Sequence, residues 1–230
     1  MFDAASLFIP WASAVGNMRC RRGRMPLMKK KSPVFERNYR YYLEMIGALD
    51  LPSRAKLLGA EADADGLIVS FFGRPHRISG DGVIGPDGLR PCYSTCIILF
   101  KYLLMCPDTV KARGPWTSFR DFKDAGPLLV YFAKAVEALI TEGFEGDVNG
   151  LASAAKKMGG RMPDTLFSHD LSIQFDPLPR LSMLLLFNDR DEEFSSHCSV
   201  LFERQTEAYL DMESVAVLGH VLSEGLLMLK

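Results

Sequence analysis

An α+β fold is predicted by three features of the 230-residue sequence. Helix-period and strand-period segments follow one another without a regular βαβ alternation. The strand runs are short and turn-separated, which suits antiparallel neighbours. An apolar share of 48% with 24% charged residues is that of a globular chain able to bury a sizeable core. The expectation is a single domain over residues 28–230, with antiparallel sheet packed by about five to six helices.

Residues 1–27, MFDAASLFIPWASAVGNMRCRRGRMPL, differ in texture from everything after them. Asp3 precedes a short apolar run and Arg19, Arg21, Arg22 and Arg24 follow it, the reverse of a secretory signal. The run is too short, and Pro10 too near its middle, for a membrane anchor, while a basic patch from Arg19 to Lys31 for an anionic surface stays open. The favoured reading puts this segment outside the fold. Translation then starts at Met25 or Met28 and not at Met1, because MKKKSPVFERNYRYYLEMI leads at once into a helix.

Ser32 and Pro33 supply an N-cap and a first-turn proline, after which Val34, Phe35, Tyr39, Tyr42, Leu43 and Ile46 recur at helical spacing to about Leu49. A short helix is expected from Ser53 to Gly59, a residue that takes the left-handed conformation ending many helices. The pattern then changes to strands: Leu67–Phe72, a break at Gly73-Arg74-Pro75, His76–Ser79, and Val83-Ile84 between glycines, together a small antiparallel meander. Residues 91–105 are apolar nearly all round, the mark of a helix buried in mid-domain.

The loop KARGPWTSFRDFKDAGP leads to Leu128, Leu129, Phe132, Val136, Leu139 and Ile140, an amphipathic helix ending near Gly143, and a further helix is expected from Asp147 to Met158. Leu171, Ile173 and Phe175 alternate with Ser172 and Gln174 as in a half-buried strand. After a break at Asp176-Pro177-Leu178-Pro179 a second run, Leu181–Phe187, is placed beside it as its antiparallel neighbour. Asp211 caps a last helix with Val215, Leu218, Leu222 and Leu226 on one face.

Composition excludes several classes of function. Lys and Arg total 27 against 28 Asp and Glu, so no net field draws the chain to nucleic acid. The apolar stretch Cys96–Phe100 is cut by Lys101, and every apolar stretch of the globular part falls far short of the ~20 residues of a transmembrane helix. The five cysteines are an odd number in a chain that needs no staples, which fits a reducing compartment and a cytoplasmic location. The glycines at 80, 82, 85 and 88 punctuate turns and do not open a helix after a strand, so no phosphate loop or dinucleotide fingerprint is present.

Two strings carry a resemblance: Trp116-Thr117-Ser118-Phe119-Arg120 before a helix, and Asp189-Arg190-Asp191-Glu192-Glu193-Phe194 followed by Leu201-Phe202. With the Phe72-Gly73-Arg74 turn, the Ile97–Leu104 helix and the C-terminal helix, residues 34–229 resemble an uncharacterised bacterial and archaeal family known only as a domain of unknown function. The resemblance implies a cytoplasmic role near anaerobic cofactor metabolism, some relatives being joined to iron–sulfur domains. It implies no reaction. This chain has no cysteine cluster for an iron–sulfur centre, and carries Phe187 where a tryptophan is expected before the acidic run.

Were residues 116–120 extended, a period of two would put Trp116, Ser118 and Arg120 on one side: a flat apolar face, a hydroxyl and a guanidinium, suited to a planar or anionic ligand. The competing and favoured reading has Trp116 and Phe119 plugging the core and Arg120 pairing locally. Asp189, Asp191, Glu192 and Glu193 could supply metal oxygens or an acid and base, but solvated or turn-capping carboxylates, one of them paired with Arg120 or Arg180, are the favoured alternative. Cys92 and Cys96, one helical turn apart, with Cys106 beyond, suit core packing better than a metal site, and the adjacency of His197 and Cys198 does not make a nucleophile and base. His76, His169 and His220 have no ligand-like spacing.

The function therefore stands as unknown, and no cofactor is assigned. The leading expectation is an accessory, non-catalytic domain binding a cofactor-like small molecule or a protein partner, with Trp116, Ser118 and Arg120 facing Asp191, Glu192 and Glu193. The alternatives are a small hydrolase or transferase using a carboxylate of the 189–193 run, and an interaction module without a ligand pocket.

Overall fold

The computed structural model describes residues 33–64 and 66–230, so the expectations for residues 1–27 and for a Ser32 cap lie outside it. Helix α1 spans Pro33–Gly47. It buries Tyr39, whose hydroxyl accepts a hydrogen bond from the Val83 N–H at 3.1 Å. Helix α2 spans Leu51–Leu58 and begins earlier than Ser53, because Asp50 caps it by accepting from the Ser53 N–H. It ends as expected at Gly59, whose φ is 66°.

The first sheet is a meander in the order β1-β2-β3-β4: Glu61–Asp63, Gly66–Phe71, Arg74–Ser79 and Gly82–Ile84, all antiparallel. The β2–β3 turn is only two residues, Phe72 and Gly73, with φ of 47° and 74°. Arg74 and Pro75 therefore belong to the strand and not to the expected break. Proline is tolerated there because β4 reaches only Arg77–Ser79, leaving Pro75 at an edge. Strand β1 has no apolar alternation and forms through its ladder to β2, which is why its residues give no signal.

Helix α3, Tyr93–Leu104, lies in mid-domain as its all-round apolarity requires, and the Tyr102 hydroxyl donates to the Leu58 carbonyl at 2.7 Å. Strand β5, Trp116–Ser118, is followed by a 3₁₀ turn, Phe119–Asp121. A continuous helical rod comes next: α4, Leu129–Phe132, a π-helical stretch, Ala133–Glu137, and α5, Ala138–Phe144. Helix α6, Val148–Lys157, is capped by Asp147. Among the described residues no helix is long and apolar enough to cross a membrane.

The second sheet has the order β5-β8-β7-β6 and is antiparallel throughout: β6 is Leu171–Leu178, β7 Leu181–Asn188 and β8 His197–Glu203. Strand β6 departs from the half-buried expectation, for Ser172 and Gln174 are as buried as their apolar neighbours. It also continues through Asp176 and Pro177, absorbing them in a bulge between Phe175 and Leu178. Helix α7, Met212–Met228, follows a cap in which Asp211 accepts from the Ser214 N–H at 2.8 Å. Phe202, fully buried, is packed by the rings of Phe119, Phe122 and Phe132, the first and last stacked at 4.2 Å. The Phe72 N–H donates to the Pro177 carbonyl at 3.0 Å, joining the two sheets, and a single hydrophobic core serves both.

Candidate functional site

Antiparallel register sorts the second sheet into two faces. One carries Cys198, Val200, Phe202, Met183, Leu185 and Phe187 into the core. The other carries Trp116 and Ser118, paired with Glu203 and Leu201, and beyond them Ser182, Leu184 and Gln174. Leu184 and Leu186 on this outer face are buried, yet they are not part of the main core.

Polar groups are buried there too. Glu203 is 5% exposed, Gln174 7% and Ser182 0%. They are joined in a chain: Arg113 donates through Nη1 to Ser182 Oγ at 2.6 Å and to Glu203 Oε1 at 2.9 Å, and Ser182 Oγ donates to Asp176 Oδ1 at 2.7 Å. Gln205 donates to Glu203 Oε2 at 2.8 Å and accepts from the Gly114 N–H at 2.7 Å, which pins the loop carrying Arg113. Arg161 reaches Asp176 Oδ2 at 3.3 Å. Burial alone would raise the Asp176 carboxyl, but Ser182, Gln174 and Arg161 outweigh it and hold the pKa below its ordinary value. Ser172 Oγ is buried on the same face without a hydrogen-bond partner among the described residues.

Beside Asp176 a cavity of about 230 Å3 opens between the sheets, lined by Ser70, Phe72, Gly73, Met158, Gly159, Phe175 and Asp176. Phe72 holds a positive φ at its mouth.

The residues expected to share a site are brought together only in part. Trp116 and Ser118 share the outer face, both half-buried. Arg120 does not continue the alternation, because the chain enters the 3₁₀ turn after Ser118, whose hydroxyl donates to Asp121. Asp191, Glu192 and Glu193 lie in the exposed turn before β8, whereas Trp116 is opposite Glu203 at the other end of that strand. Six positions along a strand separate Trp116 from His197, roughly 20 Å. Asp191 accepts from the Phe194 N–H at 2.7 Å and the Glu193 N–H at 2.8 Å, and Asp189 from the Gly146 N–H at 2.8 Å; these bonds hold both carboxyls below their ordinary values. Arg180 donates to the Lys56 and Leu57 carbonyls and pairs with none of them.

Arg120 instead has Glu137 within electrostatic reach. Glu137, the last residue of the π-helical stretch, accepts from the Val200 N–H at 3.2 Å where β5 has ended and the edge of β8 is uncovered. Burial raises its carboxyl above the ordinary value, against the pull of Val200, His197 and Arg120. Cys198 is buried in the core, where burial pushes its thiol up, while His197 on the opposite face is exposed and meets Ser199 Oγ at 3.1 Å. The two therefore point apart. Phe187 is fully buried, so the position where a tryptophan was expected is packing. Among the described residues no group of three or more His, Cys, Asp or Glu could hold a metal ion. The Arg113 network had a detectable signal only in part: the polar positions of β6 alternate visibly, but nothing in Lys111–Pro115 announces a partner ninety residues on.

No curated protein and no solved structure matches the chain. One family model does, from the residue that caps α2 to near the end of α7, a narrower span than residues 34–229 and one that leaves α1 outside. Over residues 50–224 the chain matches, and so belongs to, the family described as Domain of unknown function (DUF3786).

Proposed function

We propose that the protein is an accessory domain that binds a planar, anionic small molecule on the outer face of its second sheet, without transforming it. The observation that carries this reading is the buried polar network centred on Arg113. Charged and hydroxyl groups on an outer sheet face are costly to desolvate, and well-packed apolar residues would serve stability at least as well. Arg113 is fixed through Nη1 while its side chain remains 55% exposed, leaving guanidinium N–H groups directed by the protein and open to an acceptor. Trp116 beside it offers a flat ring, and Ser118 lies on the same face. The cysteine usage and the family resemblance support a cytoplasmic, anaerobic setting for this role.

Native mass spectrometry of the protein purified from its own host without oxygen tests the reading. A bound species of defined mass, lost in Arg113→Gln with the thermal transition retained, is the expected result. A bare mass from a folded chain, together with no quenching of Trp116 fluorescence by aromatic carboxylates, overturns it in favour of an interaction module without a ligand.

A further inference from the structure

A second feature lies where the two sheets meet, at the cavity of about 230 Å3 beside Asp176. Its walls come from distant parts of the chain: Ser70 and the Phe72-Gly73 turn from the first sheet, Phe175 and Asp176 from β6, and Met158 and Gly159 from the end of α6. Phe72 stands at φ 47°, a conformation that a residue with a Cβ seldom adopts, and its N–H is tied to the Pro177 carbonyl. The backbone is thereby held so that the Phe72 and Phe175 rings meet edge to face, with centroids 6.5 Å apart. Gly73 and Gly159, at φ 74° and 86°, are both exposed, and a Cβ added to either would meet nothing within 4 Å. At these two points the rim is bare of side chains and the cavity is accessible.

Asp176 is the charged residue of this lining. Its Oδ1 accepts from the Ser182 hydroxyl at 2.7 Å and from Gln174 Nε2 at 3.4 Å. Among the described residues Oδ2 meets the Arg161 guanidinium alone, Nη2 at 3.3 Å and Nε at 3.4 Å. Both distances exceed the ~2.7–2.9 Å of a close charge-assisted bond, so Oδ2 keeps capacity for a stronger donor. The side chain is 43% exposed and so open to a molecule in the cavity. The carboxyl, held below its ordinary pKa despite its burial, is an anion at neutral pH. Beside it the Phe72 and Phe175 rings and the Met158 thioether are apolar, and ring faces attract a cation. The Ser70 hydroxyl adds an acceptor.

We propose that this cavity binds a small primary ammonium ion carrying a single apolar ring, the ammonium donating to Asp176 Oδ2 and the ring lying against Phe72, Phe175 and Met158. Size sets the class of ligand. A cavity of ~150 Å3 already takes benzene, whereas drug-sized ligands need ~300–1,000 Å3. The space here therefore suits one ring with a short aminoalkyl chain and is too small for a nucleotide. The site goes beyond the outer-face reading: it shares Asp176 with the Arg113 network, but it opens between the sheets and takes a cation where that face takes an anion.

The test is a titration of the whole chain with phenethylamine at about pH 7, where an alkylamine is protonated, while the methyl resonance of Met158 is followed by NMR. Met158→Leu assigns that resonance by removing it. A saturable shift with a Kd of about 1 mM or tighter is expected, and hydrocinnamate, the same ring with a carboxylate in place of the ammonium, should leave the resonance in place. Asp176→Asn keeps an acceptor for Ser182 and should weaken the amine at least about tenfold. Ser70→Phe, at an exposed strand position, should fill the space and abolish the shift. No shift up to about 10 mM amine overturns the proposal, as does an equal response to hydrocinnamate or an unchanged Kd in a folded Asp176→Asn protein. Should Asp176→Asn not fold, Ser70→Phe decides: amine binding lost from that folded variant supports the cavity, and binding unchanged overturns it.

Discussion

Glu203 and Arg113 form a charge pair of which only one member meets water: the Glu203 side chain is 7% exposed and that of Arg113 is 55%. The asymmetry decides what each substitution does. Arg113→Met leaves a buried carboxylate with Gln205 as its remaining side-chain donor, and should cost about 2 kcal/mol. Replacing Glu203 as well by Met should recover much of that loss. Urea unfolding of the single and double variants measures both, and a double variant no more stable than Arg113→Met would refute the account.

Glu137 gives a pH prediction of defined sign. Its folded-state pKa is raised by burial, so the folded protein holds the proton more tightly than the unfolded chain. Stability from this group is present at low pH and is lost as pH rises through the folded pKa. Glu137→Gln keeps an acceptor for the Val200 N–H and removes the buried charge. The variant should be more stable than the parent at about pH 7 and should lose that advantage at about pH 3, below the ordinary glutamate pKa of about 4.3. Denaturation midpoints at the two pH values read the effect.

Asp211 runs the other way. Burial would raise its carboxyl, but the Lys101 ammonium at 2.8 Å and the bonds to Ser214 outweigh burial and lower the pKa. Its contribution is present above the unfolded pKa of about 3.9 and lost as pH falls through the folded pKa. Asp211→Asn keeps a capping oxygen and should destabilise at neutral pH, with the difference from the parent shrinking in acid. A difference that grew on acidification would contradict the assignment.

Two glycines separate conformational cost from steric cost. At Gly73, with φ 74°, an added Cβ meets nothing within 4 Å, so Gly73→Ala should cost only about 1 kcal/mol from the left-handed backbone. At Gly66 the same atom would lie 2.3 Å from the Ile78 carbonyl oxygen, and the alanine variant should be much the less stable of the two. Thermal unfolding of both variants ranks them directly.

Phe202 is fully buried among three other phenylalanine rings. Phe202→Ala should cost about 4 kcal/mol by calorimetry, and a loss below about 1 kcal/mol would mean that the surrounding rings collapse into the space.

Long periodic segments were legible in the sequence: α1, α3, α6 and α7, and the β6–β7 pair, whose spacing alone placed them as neighbours. What the sequence concealed is ladder-made or long-range. Strand β1 has no pattern of its own. Strand β8 alternates only over Cys198, Val200 and Phe202 and was not recognised as a strand. Trp116 and Ser118 were correctly paired by the period of two, but the period ended one residue before Arg120, where a 3₁₀ turn redirects the chain.

The pairing of Trp116 with Glu203 also fixes when that strand can form. Most ladders of the two sheets join strands adjacent in sequence and can close as local hairpins, within microseconds for an isolated hairpin. Strand β5 is the exception, and must wait for residues more than eighty positions further along the chain. During synthesis it stays unpaired until the end of β8 has left the ribosome, and at about 5–20 residues per second that interval is of the order of several seconds. For that time Trp116 belongs to the nascent chain's surface, open to whatever meets it first.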